Sequence, residues 1–288
     1  MSELTTHTLD VPGAVLTYDV RTPTDPSGHR PIFVLGSPMA ASGFEQLVAE
    51  LDDRVVITYD PRGTERSTLA PDGEVSLGEH AEDYHRIVAA TGLGPVDVFG
   101  SSGGAAAALD WAVAHPEDLG TVVAHEPPLV ALLPDGEAAA QALHTIYETY
   151  MREGHGPAMA RFISLVMHTG PVTAEYLAQP APDPAAFGIP AEDDGSRDDL
   201  LLGRNTLATA DYRPDLDRVR ASTVQIVPAI GEAGEGTFAR RGGQALAGEL
   251  GVEPVVFPGD HGGFVSNEWS PGNDPAAFAA QLRKVLAG

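Results

Sequence analysis

Val96-Asp97-Val98-Phe99-Gly100-Ser101-Ser102-Gly103-Gly104-Ala105-Ala106-Ala107-Ala108-Leu109 runs from apolar residues through a turn of small ones into alanines. The pattern predicts a buried strand over 95–99 and a helix over 103–115 with almost nothing between them. Gly100, Ser102 and Gly104 fit G-x-S-x-G, in which a serine sits on a sharp strand-to-helix turn and projects its hydroxyl from the sheet. The glycines remove side chains that would clash with strand and helix. The helix then aims its N-terminal amides at the same point. Ser102 is the candidate nucleophile, because its neighbour Ser101 lacks glycines at both −2 and +2. Gly/Ser-rich turns of this kind also bind phosphates, but no G-x-G-x-x-G follows this strand and no G-x-x-x-x-G-K-[ST] occurs in the chain.

The alternation of strands and helices extends on both sides. Residues 6–20 alternate like strands about a turn at Val11-Pro12-Gly13, an opening hairpin. Apolar runs at 31–35 and 54–59 read as buried strands, stopped by Gly36 and by Asp60-Pro61-Arg62-Gly63. Helical spacing covers 42–51 and 77–91, and another strand covers 119–124. Apolar strands alternating with helices imply an α/β fold, a mostly parallel central sheet flanked by helices, with its site at the carboxyl ends of the strands. Gly36-Ser37, Asp60 to Gly63, Ser102 and His125-Glu126 all fall at those ends.

After Pro134 the pattern changes. Residues 136–180 have helical spacing, 180–199 are rich in Pro and Asp, and 198–210 are helical again. This predicts an inserted helical cap over 131–212 on a core made of 1–130 and 213–288; the plainer reading is that these helices continue the core. Strand 223–230, helix 238–250, strand 254–257 and helix 274–286 complete the core. The Met, Tyr, Phe and Leu of the cap suit a medium-sized apolar substrate, or serve only to pack it on the core.

The length of 288 residues suffices for one α/β domain or two small ones. Only 17 Lys+Arg stand against 41 Asp+Glu, a net charge of −24. That speaks against nucleic acid and anionic membrane as partners, which demand basic patches, although an acid excess is also a habit of salt-adapted lineages. The absence of cysteine excludes disulfides, thiolate catalysis and zinc–cysteine sites. The first residues contain neither a basic n-region nor an apolar h-region, and no run approaches the ~18 apolar residues of a membrane span, so a cytoplasmic protein is expected.

A serine hydroxyl needs a base to become a nucleophile. Of the ten histidines, His261 lies in Phe257-Pro258-Gly259-Asp260-His261-Gly262-Gly263, just after the last strand, which suits the chain order nucleophile, acid, histidine. His7, His29, His115 and His155 read as surface or capping residues. Two positions compete for the acid. Glu126, in His125-Glu126-Pro127-Pro128, directly follows a buried strand, where a carboxylate needs a partner and an imidazole N–H would serve. Its plainer reading is capping or a bridge to an arginine. Glu232, in Gly231-Glu232-Ala233-Gly234-Glu235, is the alternative acid, and a solvated loop is its plainer reading. Glu126 is favoured on the cost of burial. The two amides of an oxyanion hole fall to Gly103, after the nucleophile, and Ser37, where Gly36 permits close approach.

On Gly36-Ser37-Pro38, Tyr59-Asp60-Pro61-Arg62-Gly63, the turn around Ser102 and Pro258-Gly259-Asp260-His261-Gly262, the chain resembles α/β-hydrolase-fold enzymes over nearly its whole length. It departs from the common pattern in having Leu35-Gly36 for His-Gly, and Gly234 where an acid usually follows Gly231. Haloalkane dehalogenases of this fold that use a glutamate acid carry it at the end of the same strand as Glu126, but their nucleophile is aspartate. A closer resemblance is to the zearalenone lactone hydrolases, which share a Gly-x-Ser-Ser-Gly turn, matched in a slightly shifted frame by Gly100-Ser101-Ser102-Gly103, and a His-Glu-x-Pro stretch, here His125-Glu126-Pro127-Pro128. The caps do not visibly match. The resemblance implies Ser102, His261 and Glu126 as a catalytic triad, a small-molecule ester or lactone substrate, and no metal or organic cofactor. Two rival functions stay open: a ligand-binding protein with little turnover, and the same triad used on carbon–carbon bonds or for acyl transfer to an acceptor other than water. The oligomeric state, a homodimer included, is not legible.

Overall fold

The structure is a computed structural model that describes residues 2–25, 28–190, 192–268 and 270–288. Its strands are β1 Glu3–Val11, β2 Ala14–Thr22, β3 Ile32–Leu35, β4 Val56–Asp60, β5 Thr68–Leu69, β6 Val96–Ser101, β7 Leu119–His125, β8 Gln225–Gly231 and β9 Val255–Phe257. They form one sheet in the order β1-β2-β4-β3-β6-β7-β8-β9, with β5 added beside β2. The pairings of β2 with β1, β4 and β5 are antiparallel, and every pairing from β4/β3 onward to β9 is parallel. The opening hairpin is longer than its sequence pattern predicts, because the outer strand is solvated and its alternation is blurred by threonines.

The helices are α1 Glu45–Glu50, α2 Leu77–Thr91, α3 Gly103–Ala114, α4 Gly136–Glu153, α5 His155–Met167, α6 Ala174–Leu177, α7 Thr206–Asp211, α8 Leu216–Ala221, α9 Phe238–Leu250 and α10 Pro275–Leu286. α2 begins where Ser76 accepts a hydrogen bond from the Glu79 amide and ends at Gly92, whose φ of 66° only glycine adopts freely. Those two signals are why its predicted bounds coincide with the observed ones. The period-2 alternation of β3 divides the core. Ile32 and Val34 enter one apolar layer with Phe44, Phe99, Phe257 and Phe278, while Phe33 and Leu35 enter the other with Ile57, Tyr84, Leu109 and Trp111.

α3 is buried on nearly all sides, as an alanine-rich helix must be if it lies directly on a sheet. The smallness of its first residues is required there. A Cβ on Gly104 would stand 2.7 Å from Gly36 Cα, and one on Gly100 would stand 2.9 Å from Ala105 Cα.

Between β7 and β8 the chain is helical, with a third apolar cluster of Val130, Leu143, Ile146, Tyr150, Leu165 and Leu202 joined by Phe238 of α9. The predicted helical stretch 136–180 is broken at Gly154, φ 88°, into α4 and α5, and again over 168–173 before the single turn α6. The stretch 198–210 is a π-helical turn, Leu201–Asn205, running into α7. α8 has no counterpart in the sequence reading, since it is six residues long and buries only Val219.

Candidate active site

The parallel strands bring four chain segments to one edge. In register, Ser101 lies beside His125, His125 beside Ala229, and Gly231 beside Phe257. Ser102, Glu126 and His261 leave the sheet just past these positions, on β6, β7 and the turn after β9, respectively.

Ser102 has φ 54° and ψ −125°, a conformation that side chains other than hydrogen rarely adopt. Its amide donates to the His125 carbonyl at 3.0 Å and its carbonyl accepts from Ala106 N–H at 3.2 Å, so both sides of the turn are tied down. Ser101 remains in the strand and is buried, whereas Ser102 is partly exposed at the N-terminus of α3.

Glu126 also has a positive φ, 47°. Its amide donates to the Ala229 carbonyl at 2.9 Å. The buried carboxylate is fully engaged. Oε1 accepts from Gly231 N–H at 2.8 Å, and Oε2 accepts from His261 Nδ1–H at 2.7 Å. Burial pushes its pKa up, but the His261 hydrogen bond, the neighbouring imidazoles and the Gly231 amide outweigh that and hold it below the usual carboxylate value. Neither a cap nor an arginine takes this carboxylate. Glu232 is exposed, with its amide on the Phe257 carbonyl at 2.8 Å, so the structure brings Glu126 and not Glu232 to His261.

Because the carboxylate can only accept, His261 Nδ1 carries the proton and Nε2 is left as the basic nitrogen. The His261 turn approaches β8 closely, since a Cβ on Gly231 would stand 2.8 Å from the Gly259 carbonyl oxygen. Asn273 organises this turn, and sequence reasoning missed it. Its Nδ2 donates to Asp260 Oδ1 at 2.9 Å, to the Gly262 carbonyl at 3.0 Å and to the Val265 carbonyl at 3.1 Å.

His125 was visible in the sequence only as the neighbour of Glu126. It is wholly buried among Phe99, Phe257, Phe264 and Phe278, with its ring 6.2 Å from that of His261. Burial pulls its pKa down to about 4, so the ring is neutral at ordinary pH.

Ser37 and Gly103 pack against each other beside the Ser102 turn. A Cβ on Gly103 would stand 2.5 Å from the Ser37 carbonyl oxygen. Among the described residues neither the Ser37 nor the Gly103 amide has a protein acceptor. The Ser37 hydroxyl is engaged by two residues that the sequence reading did not single out, His80 Nε2 at 3.0 Å and Asn205 Nδ2 at 2.9 Å. Asn205 belongs to Gly203-Arg204-Asn205-Thr206, and that polar interruption of a helical pattern was the one available signal. Among the described residues no group of three or more His, Asp or Glu side chains converges to hold a metal ion.

A serine on a strained strand-to-helix turn, beside a carboxylate–imidazole pair at the carboxyl edge of a mostly parallel sheet, is the architecture of the alpha/beta hydrolases. Residues 32–266 match the alpha/beta hydrolase fold family, and the chain belongs to it. It is 31% identical over 272 residues to the uncharacterized hydrolase YraK of Bacillus subtilis (strain 168), covering 89% of either chain. Among solved structures it is similar to a thermophilic esterase from Thermogutta terrifontis, with TM-score 0.67 and 18% identity over 99% of this chain and 98% of that one. It is likewise similar to the enol-lactonase from Burkholderia xenovorans LB400, with TM-score 0.64 and 18% identity over 98% of this chain and 100% of that one.

Proposed function

We propose that this hydrolase cleaves a carboxylic ester or lactone of a small-to-medium apolar molecule through an acyl-enzyme. The observation that carries the reading is the 2.7 Å hydrogen bond from His261 Nδ1 to the buried Glu126 carboxylate, at the edge where Ser102 leaves the sheet on a strained turn. Ser102 Oγ attacks the carbonyl carbon while His261 Nε2 takes its proton. Glu126 holds the imidazole in the required tautomer and stabilises the imidazolium. The amides of Ser37 and Gly103 receive the oxyanion, each worth on the order of 3 kcal/mol to the transition state. His261 returns its proton to the leaving alkoxide. A water, deprotonated by His261, then attacks the acyl carbon, and collapse releases the carboxylic acid and restores Ser102. The sequence of steps balances with water as the only co-reactant.

The segment 131–212 acts in this reading as a cap that closes the apolar side of the site. The apolar cluster that packs it, shared with Val130 and with Phe238 of α9 and separate from the two core layers, supports that role. The structural likeness to an esterase and to an enol-lactonase supports only the fold, on which several bond types are cleaved.

The test is a panel of p-nitrophenyl esters, small lactones and macrolactones assayed in heavy-oxygen water. The expected product is a carboxylic acid with one oxygen from solvent, formed by the wild type and not by Ser102→Ala. Turnover that survives in Ser102→Ala, or products of carbon–carbon cleavage, would overturn the reading.

A further inference from the structure

Among the described residues, two buried polar side chains from different parts of the fold each make one side-chain hydrogen bond, both to the same hydroxyl. His80, on α2 of the core, meets Ser37 Oγ through Nε2 at 3.0 Å. Asn205, at the end of the π-helical turn between β7 and β8, donates to the same oxygen through Nδ2 at 2.9 Å. His80 Nδ1 and Asn205 Oδ1 are both buried without a partner. Most buried polar groups have a partner, because an unfilled one is costly, so a pair that leaves capacity unfilled calls for a reason. Here the half-filled pair converges on Ser37, which packs against Gly103 and whose amide has no protein acceptor among the described residues.

We propose that Asn205 is a positioning residue for the oxyanion site, fixing the Ser37 backbone amide through the Ser37 hydroxyl and thereby making the helical segment over the site a part of it. The inference rests on the reading of Ser37 as an oxyanion donor. The hydroxyl has one proton to give and two lone pairs to receive. Neutral His80 takes the proton on Nε2, and Asn205 donates to the oxygen. With both roles taken, the Ser37 side chain has one rotamer, and its amide has one direction. Burial keeps His80 neutral, its pKa pulled down to about 3, so this pattern does not change over the working pH range. The π-helical turn agrees with the assignment, since such turns occur frequently at functional sites. It also ties the segment between β7 and β8 to the loop after β3 through one side-chain hydrogen bond.

The experiment is a double-mutant cycle on Ser37 and Asn205 in the full chain, read by kcat, by KM and by the affinity for an aryl trifluoromethyl ketone, whose hemiketal oxygen occupies an oxyanion site. Asn205→Leu and the isosteric Asn205→Asp, whose ionised carboxylate only accepts, should each lower kcat at least about tenfold, less than the loss of a direct donor. KM should hold within about threefold, and ketone affinity should fall with kcat. In the Ser37→Ala background the same substitutions should cost nothing further, since the hydroxyl through which Asn205 acts is gone. Additive losses, or a loss confined to KM or thermal stability, would overturn the inference. If Leu fails to fold, Asp carries the cycle. Ser102→Ala is run alongside: hydrolysis that survives there defeats the parent reading, whereas its loss together with additivity at Ser37 and Asn205 defeats only this one.

Discussion

The amide of Ser102 donates to the carbonyl of His125 at 3.0 Å, so a residue with φ 54° at the end of β6 is fastened to the residue before one with φ 47° at the end of β7. Strained backbone persists only where its surroundings over-determine it. Here the Glu126 amide is in turn held by Ala229, and its carboxylate by Gly231 on β8. A chain of hydrogen bonds across three strands therefore carries both strained turns and sets the serine and the glutamate in fixed relation.

Gly103→Ala should damage catalysis more than folding. The added Cβ would stand 2.5 Å from the Ser37 carbonyl oxygen and push apart the two amides proposed to receive the oxyanion. The expected loss in kcat is on the order of 10²–10³, as for removal of one oxyanion donor. The clash is with backbone, so the melting temperature should fall as well, and circular dichroism at the assay temperature checks that the variant assayed is folded. A variant with near-normal kcat would mean that the Gly103 amide does not serve the oxyanion.

Glu126→Gln and Glu232→Gln should separate cleanly. Glutamine at 126 can present its NH₂ to His261 and favour the wrong tautomer, and the expected loss in kcat is on the order of 10⁴. Glu232 is exposed and away from the imidazole, so Glu232→Gln should keep activity within about twofold, as is usual for surface substitutions. The reverse ranking in a steady-state ester assay would move the acid to Glu232.

The parts of this arrangement legible in sequence are those that local chemistry dictates. The glycines around Ser102 and the apolar strand before it mark the elbow, and the cost of burying Glu126 marks a carboxylate with a partner. The bounds of α9, Phe238–Leu250, were legible from its amphipathic spacing and the glycine that follows it. What was not legible depends on contacts between distant segments. Nothing local in Asn205 announces that it reaches Ser37, 168 residues away, and nothing in Asn273 announces that it organises the His261 turn. The break at Gly154 and the short α8 escaped because a few residues with one buried apolar side chain carry no usable period.

Acid should destabilise the fold through its buried histidines. His80 and His125 fold with pKa values pulled by burial from 6.5 to about 3 and about 4, and Arg62 adds to the effect on His80. In the unfolded chain both bind a proton below about pH 6.5. Between there and pH 4 the unfolded state holds more protons, so stability falls as pH falls, by up to about 1.4 kcal/mol per pH unit for each histidine. The stability difference between wild type and His125→Phe, from urea titrations, should therefore shift in favour of the variant as pH drops from 7 to 5. A difference independent of pH would contradict the neutral, buried state of His125.

Asp135 and Arg241 should act as a latch between the helical segment and α9. Arg241 pairs with the Asp135 carboxylate and donates to the Gly170 carbonyl at 2.9 Å, while Asp135 Oδ2 accepts from Val172 N–H at 2.6 Å. Arg241→Met removes the cation and leaves the carboxylate half-satisfied, at a cost of about 2–3 kcal/mol. Hydrogen exchange should rise over residues 169–173 before it rises in α3. Uniform acceleration across the chain would show that the pair supports the whole fold rather than this joint.

An activated serine at position 102 should react with a fluorophosphonate. The protein is incubated with the reagent, digested and mapped by mass spectrometry beside Ser102→Ala. The account predicts a single adduct on the peptide carrying Ser102, absent from Ser102→Ala and strongly slowed in Glu126→Gln. A folded wild type that takes no label, or one labelled at Ser101 or elsewhere, would contradict it.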